Sequence, residues 1–518
     1  MIPIIPDADV ARALAADLDA AGYTVEAVDA LWGSDAADAL HRGTRVPAVR
    51  ELDARLVGGL PSPVATLARL FLLGLPADLT DAATALPSVG VPALVDAGLV
   101  SVEGGDVRPN VDLRPYAYVD DAGAGSWWVM SDLGELALGR ALGEEHVLGI
   151  GGASMTLSGL MVPVPVRRVL DLGTGCGIQA MHASRFAETV VATDISARAL
   201  DIARFNVAMN GIENVEFRLG SLYEPVAGER FDRIVSNPPF VITPRRDGVP
   251  AYEYRDGGMV GDALVETVLT GLAAHLEPGG TAQLLGNWEH RWGREGLDRV
   301  ASWFGERPDD GPALDVWVVE RERQDPATYA ETWIRDGGTR QGTPAFEELV
   351  GYWLDDFAER HVLGVGFGYV VVRRPASDGL TTTRRFERVP ESLGSNPAGL
   401  GATVARTLDA IDWLRSHDDA ALDRAHLVVA GDVTEERHYW PGNDDPTVIT
   451  LVQGGGFGRR VDADTALAAF VGACDGDLGV GAIVGAIAQL LRVDEDALAA
   501  ELRPRIRELL TDGLLRPA

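Results

Sequence analysis

The chain has 518 residues, a formal net charge of −32, 46% hydrophobic residues and 24% charged ones. That balance is globular and excludes a disordered or fibrous chain. All 45 basic residues are arginine, and each of the three segments divided at residues 125 and 379 is net acidic. Tight, sequence-independent binding to bare nucleic acid needs clustered cations against phosphate, so free duplex DNA is a poor partner.

Two cysteines, Cys176 and Cys474, build neither a disulfide framework nor a four-cysteine zinc site. The nine histidines show no metal-ligand spacing, and no metal is expected. The N-terminus MIPIIPDADV has no basic region followed by an apolar one. No uninterrupted apolar run reaches the ~18 residues of a membrane span. These features lead to the expectation of a cytoplasmic protein with no membrane contact.

At roughly 100–200 residues per domain, this length suggests about three to four domains, and the sequence is read as three. Residues 7–58 read as short amphipathic helices, and 62–102 as helix patterns ending in a strand–turn–strand about Gly104–Gly105. Residues 1–125 are therefore expected to form a helical, winged-helix-like domain. Residues 110–160 read as an extended linker in which Trp127–Trp128 packs into a core. From residue 166 continuous apolar runs alternate with helical patterns, the mark of a doubly wound α/β sheet. The runs are VRRVLDLG, ETVVATDIS, VEFRLGS, RFDRIVSNPPF and GGTAQLLGNW, and ALDVWVVERE and GVGFGYVVVRR add an antiparallel edge hairpin. The expectation for 126–379 is a Rossmann-like sheet of seven strands. Residues 380–518 read as an α+β domain. Its closing LLTDGLL echoes LVDAGLV near 94–100, which suggests a second winged-helix-like cassette.

Four motifs carry chemistry. In VLDLGTGCG, a strand ends at Asp171 and Leu172, and Gly173, Thr174, Gly175 and Gly177 form a loop before a helix. Such glycines let a ligand approach the backbone. A carboxylate ahead of them repels a pyrophosphate and favours a cation. S-adenosylmethionine carries both an ammonium and a sulfonium. Asp194 ends the next strand, 23 residues on, where a carboxylate accepts ribose hydroxyls and Ile195 flanks an adenine. Asp194 or Ser196 could equally cap the following helix. In GSLYEP, Ser221 and Leu222 follow a third strand and face an adenine amine or simply turn the chain. The sharpest signal is IVSNPPF. Pro238 and Pro239 stop the strand, leaving a rigid loop that presents the Asn237 side-chain oxygen and a proline carbonyl, with Phe240 as a flat neighbour. Two such acceptors can hold both hydrogens of a planar –NH2 group.

Residues 166–290 resemble class I S-adenosylmethionine-dependent methyltransferases of the Asn-Pro-Pro-aromatic type. Within that type they look most like the release-factor glutamine N5-methyltransferases. VITPRRDGVPAYEYRDGGMVGDALVE, with Gly257–Gly258 and Gly261–Asp262, is similar to that family's segment after the catalytic loop. HVLGIGGAS stands where the family has a hairpin near the substrate, without its proline-arginine signature. The resemblance implies N-methylation with Asn237, Pro238, Pro239 and Phe240 as the catalytic loop. It points to a protein or peptide glutamine as acceptor. An rRNA or DNA base (guanine N2 or adenine N6) and a small-molecule amine remain alternatives. The glycine run GGGFGRR at 454–460 lacks the P-loop lysine and reads as a hairpin turn or a phosphate cradle. Arg245–Arg246, beside the catalytic loop, either steers an anionic substrate or serves the loop.

Overall fold

The computed structural model describes residues 2–58, 62–139, 142–250, 252, 255–305, 312–377 and 380–518. Residues 251, 253 and 254 of the family-like segment, and 378 and 379 at the expected second boundary, lie outside the described residues. The chain divides into two compact units. One comprises residues 1–119, 123–158 and 164–388, the other 120–122, 159–163 and 389–518.

The first unit is built on a mixed sheet of β1 (Val166–Leu172), β2 (Ala187–Asp194), β3 (Val215–Leu219), β4 (Phe231–Ser236), β5 (Leu276–Arg291), β6 (Asp315–Gln324), β7 (Val362–Arg373) and β8 (Arg384–Arg388). The order is β8-β6-β7-β5-β4-β1-β2-β3. Strands β5, β4, β1, β2 and β3 run parallel, and β7 is antiparallel to both β5 and β6. The last four residues of β1 are buried, as a central strand covered on both faces requires.

The seven strands expected from sequence are all present, but the sheet has eight. The extra one, RRFER at 384–388, pairs parallel to β6 and carries the sheet beyond residue 379. Its sequence is charged because it lies on an edge. Asp315 and Glu320 of β6 anchor it. Asp315 accepts the Thr383 N–H at 2.8 Å, and Glu320 accepts from Arg388 Nε at 2.6 Å.

Helices α1 (Ile178–Ser184), α2 (Ala197–Met209), α3 (Ala263–His275) and α4 (Gly296–Trp303) follow the strands as expected. Two further helices, α5 (Pro326–Asp336) and α6 (Pro344–Glu359), separate β6 from β7, where the sequence suggested a plain hairpin. Each begins with a side-chain cap and a proline. Asp325 accepts from Ala327 N and Thr328 N, and Thr343 accepts from Phe346 N.

The N-terminal helices share one core with the sheet's helices. Leu14, Leu18, Leu52 and Phe71 belong to the same buried cluster as Met181, Ile202 and Phe205 of α1 and α2. Beside them, Ala77–Asp78, Asp106–Pro109 and Val100–Glu103 form a small antiparallel sheet. Residues 110–160 are more ordered than a linker. Val111–Asp120 and Gly123–Asp132 pair as long strands, and the stretch containing HVLGIGGAS leads into a helix, Gly152–Leu160, instead of a hairpin.

Asn206, fully buried on α2, ties this strand pair to the rest. Its Oδ1 accepts Met130 N–H at 2.8 Å, and its Nδ2 donates to Met130 O at 2.9 Å and Cys176 O at 2.8 Å. Four residues on, Asn210 makes the equivalent pair with the Trp128 backbone. Trp127 packs against Tyr118, with ring centroids 4.2 Å apart, and Trp128 donates its indole N–H to Tyr23 O.

The second unit holds two three-stranded sheets. Asp475–Gly479, His426–Val429 and Leu515–Pro517 form one; Val433–His438, Val448–Gln453 and Arg460–Ala463 form the other. Helices Thr465–Gly472, Val480–Leu491 and Glu495–Thr511 contribute Phe470, Ile483, Leu502 and Ile506 to its core. Among the described residues no helix is long and apolar enough to cross a membrane.

Replacing Asn206 with Ala removes three buried hydrogen bonds and strands the Met130 backbone. The expected cost is about 2–4 kcal/mol. A urea titration checks it, and an unchanged midpoint would show that Asn206 does not clamp the strand pair.

Candidate active site

Strands β4, β1 and β2 are parallel neighbours, so their C-terminal ends open on one edge of the sheet. That edge is where ligands bind in open α/β sheets. Asn237 follows β4, Asp171 lies in the last turn of β1, and Asp194 closes β2. The sheet therefore brings the three polar residues singled out in sequence to one side.

Asp171 is completely buried. Its Oδ2 accepts from the Thr174 hydroxyl at 2.5 Å. Its Oδ1 has no hydrogen-bond partner among the described residues. Burial pushes this carboxyl up to about 7; the nearby Asp194 charge adds to the rise and the Thr174 hydroxyl opposes it. The loop that follows folds back on β2, with Gly173 N and Thr174 N donating to Thr193 O. Gly173 and Gly175 have φ of +77° and +54°, and a Cβ on either would meet open space. The glycines thus leave a cradle that side chains would fill. Gly177 serves packing as well: it heads α1 at φ +88°, and a Cβ there would press on Ala203 of α2 at 3.0 Å.

Asp194 is held in the same loop. Its Oδ2 accepts from Gly175 N and its Oδ1 from Ser196 N, both at 2.9 Å. Burial raises its carboxyl pKa, against the lowering effect of these N–H donors. The cap of α2 is Ser196, whose Oγ accepts Ala199 N–H. Asp194 is thereby freed from the capping role left open in sequence. Ile195 is 66% exposed beside it. Beyond β3, Leu222 holds φ +47°, a left-handed conformation rare for a branched side chain, and Ser221 O accepts from Glu224 N. Gly220 is compressed against Pro225 there, 2.5 Å from where a Cβ would sit.

Asn237 presents a buried Oδ1 with no hydrogen-bond partner among the described residues. Its loop is braced from three sides. Ser236 Oγ donates to Leu172 O at 2.7 Å, joining β4 to β1. Gly257 approaches so closely that a Cβ would sit 2.9 Å from Pro239 O. Ile242 N donates to the Tyr329 hydroxyl at 2.9 Å. Tyr329, on α5, also receives Asn287 Nδ2 at 2.8 Å, and burial raises its phenol pKa well above the usual range. Phe240 lies edge-on to Trp333 of α5, with centroids 6.2 Å apart. A second brace runs through buried Asp256, which accepts from Thr243 Oγ1 at 2.6 Å and Tyr252 N at 2.7 Å.

Sequence reasoning missed Tyr329, Asn287 and Trp333, because they act on the loop only through the fold. The cap-plus-proline pairs Asp325–Pro326 and Thr343–Pro344 are the signals that mark their helices. Arg245 is tied to the backbone beyond the loop, and Arg246 leans on helix α6. Arg245 donates to Met259 O and Asp256 O, and Arg246 lies 3.9 Å over the Tyr352 ring.

Residues 151–292 match the sequence model of the methyltransferase small domain. This segment is a methyltransferase small domain. Residues 20–110 and 405–517 match two domains of unknown function, DUF7059 and DUF7782. The methyltransferase segment is 43% identical over 135 residues to a release factor glutamine methyltransferase of Xylella fastidiosa, covering 24% of this chain and 47% of that protein. It is 38% identical over 147 residues to a ribosomal protein uL3 glutamine methyltransferase of Bradyrhizobium diazoefficiens, covering 26% and 45%. It is also 29% identical over 164 residues to a ribosomal RNA small subunit methyltransferase C of Salmonella newport, covering 31% and 43%. The chain thus spans less than half the length of these relatives.

The methyltransferase small domain fits its cofactor, S-adenosylmethionine. The unpartnered Asp171 oxygen suits a cationic group, and the Gly173–Gly175 cradle gives the backbone access that ligand needs. The raised carboxyl gives binding a pH dependence. A cation held at Asp171 would favour the ionised form, so affinity should be full well above about 7 and fall as the pH drops through that value, by up to about tenfold per unit. Calorimetric titration of S-adenosylmethionine from pH 8 to pH 5.5 checks this. Asp171→Asn should flatten the profile; an equally steep decline in that variant would assign the proton elsewhere.

Proposed function

We propose that the chain is an S-adenosylmethionine-dependent N-methyltransferase whose acceptor is a glutamine side chain of a protein. The observation that carries this reading is the buried, unpartnered Oδ1 of Asn237, fixed in a proline-stiffened loop at the sheet edge that also holds Asp171. When bound, the cofactor supplies an electrophilic methyl group on a sulfonium. Asp171 holds the cationic portion, and Asp194 with Ile195 takes the ribose and adenine side. Thr174 fixes the Asp171 carboxylate, and Ser221 and Leu222 line the adenine end.

The acceptor amide is a weak nucleophile because its lone pair is delocalised. Asn237 Oδ1 accepts one N–H and the Pro238 carbonyl the other. They favour the pyramidal nitrogen, whose lone pair is free, and stabilise the positive charge it develops. Pro239 fixes the turn, and Phe240 packs against the planar amide. The surplus proton leaves the nitrogen for solvent. Tyr329 positions the loop from behind through Ile242.

Two observations favour a protein acceptor. Identity is higher to the two glutamine methyltransferases than to the rRNA enzyme, and the chain is strongly acidic. The rRNA relative keeps guanine N2 as the second reading.

The test adds purified protein and tritiated S-adenosylmethionine to extract of cells lacking it, then divides the sample between protease and ribonuclease. Label released by protease, with methylglutamine after hydrolysis, is the expected result. Label released only by ribonuclease would make the acceptor RNA. Asn237→Ala should raise the barrier by about 2–4 kcal/mol while leaving cofactor affinity nearly intact, whereas Asp194→Ala should weaken cofactor binding by calorimetry. Tyr329→Phe strands two buried donors, so it should lower the melting temperature and, assayed well below it on folded protein, lower turnover by about 1–2 kcal/mol with cofactor affinity retained. Unchanged turnover of the folded variant would make Tyr329 merely structural.

A further inference from the structure

The second unit contains a cavity of about 420 Å³ whose walls include Arg406, Arg516, Asp432, Ser395 and the Gly454–Gly456 run. It lies at the turn between strands Val448–Gln453 and Arg460–Ala463, so GGGFG is a hairpin turn. The run packs closely on Asp432, which a Cβ on Gly454 would meet at 2.8 Å through its carbonyl oxygen, and on residues 392–396. A Cβ on Gly394 would meet Gly455 O at 2.4 Å, and one on Gly458 would meet Ser392 O at 2.5 Å. The turn does not offer its amides to a ligand. Gly454 N donates to Asp432 O, Gly455 N to Asp432 Oδ2 and Gly456 N to Asn396 Oδ1. The glycine run is a tightly packed wall, and any charge recognition falls to the side chains around it.

Those side chains stand out within an acidic unit. Residues 389–518 contain eleven arginines, and seven of them pair with a carboxylate. Arg406, Arg424, Arg492 and Arg516 are not among the seven, and of these four Arg406 and Arg516 line the cavity. Arg406 donates to the neutral Thr403 hydroxyl at 3.0 Å, and the Arg516 guanidinium has no hydrogen bond or ion pair to a described residue. Two guanidiniums that form no ion pair with a described residue line this cavity and outnumber its one carboxylate, Asp432; together they match a doubly charged oxyanion, which each can hold through two parallel N–H bonds. Asp432 gives the other half of the recognition. Its Oδ2 is engaged by Gly455 N, which leaves Oδ1 to accept from a ligand hydroxyl. The Ser395 hydroxyl is likewise uncommitted. The volume exceeds that of a bare phosphate ion and falls in the range of small-molecule sites.

We propose that this cavity binds a phosphomonoester of a small polyhydroxylated molecule, with Arg406 and Arg516 on the phosphate and Asp432 on a hydroxyl. The site lies outside the methyltransferase small domain and does not rest on the function proposed for it.

The test is calorimetric titration of the full chain with ribose 5-phosphate, inorganic phosphate and ribose. S-adenosylhomocysteine is kept saturating so that Asp194 is not open to a ribose. Ribose 5-phosphate should bind at least tenfold more tightly than inorganic phosphate, and ribose alone should not bind. Arg406→Ala and Arg516→Ala should each weaken ribose 5-phosphate at least tenfold. Both side chains are exposed, so the fold should persist, and circular dichroism confirms it. Asp432→Asn keeps an acceptor for Gly455 N and should abolish the preference over inorganic phosphate without weakening the latter. Ribose 5-phosphate binding no tighter than inorganic phosphate, or binding unchanged in the arginine variants, would overturn the proposal.

Discussion

Adjacent parallel strands must end on the same side of a sheet. Because β4, β1 and β2 are neighbours, an amide and two carboxylates that lie far apart in the chain converge at one edge. Convergence there is costly, since the edge is partly closed by loops and helices and leaves Asp171 Oδ1 and Asn237 Oδ1 buried without partners among the described residues. A fold does not hold such groups in place cheaply. The surrounding elements can be understood as the bracing that keeps them where a ligand can satisfy them.

The bracing comes from both sides of the sheet. Toward the N-terminus, Asn206 bonds Met130 and Cys176 together, so the long strand pair and the glycine loop are fixed by one side chain. Toward the C-terminus, α5 places the Tyr329 hydroxyl against Ile242, two residues beyond Phe240. Both anchors are polar groups in apolar surroundings, where a hydrogen bond that is made is strong and one that is missing is expensive. This arrangement gives the Asn237 loop one conformation.

What could be read from the sequence follows from where the information is stored. VLDLGTGCG and IVSNPPF are legible because glycine and proline act on their own backbone, and the alternation of apolar runs with helical patterns reports the doubly wound sheet directly. The β8 strand is not legible. Its five residues are mostly charged, and only the pairing with β6 makes them a strand. The helices α5 and α6 carried cap signals, but their purpose depends on contacts with residues about ninety positions earlier. The stretch 110–160 looked like a linker because its strands pair with each other and receive their polar partners from α2. Gly454–Gly456 was ambiguous for a similar reason. Gly454 and Gly455 answer Asp432, some twenty residues earlier, which no local pattern reveals.

The shared core of the N-terminal helices and α2 bears on where the catalytic part of this chain begins. Phe205, Ile202 and Met209 share one buried cluster with Leu14, Leu18 and their neighbours. A fragment cut at residue 126, where composition and motif spacing invite a cut, would carry a broad apolar face into water. Such a face seeks another of its kind, so the fragment would be recovered as aggregate. The N-terminal segment is thus less an appendage to the sheet than one wall of its unit.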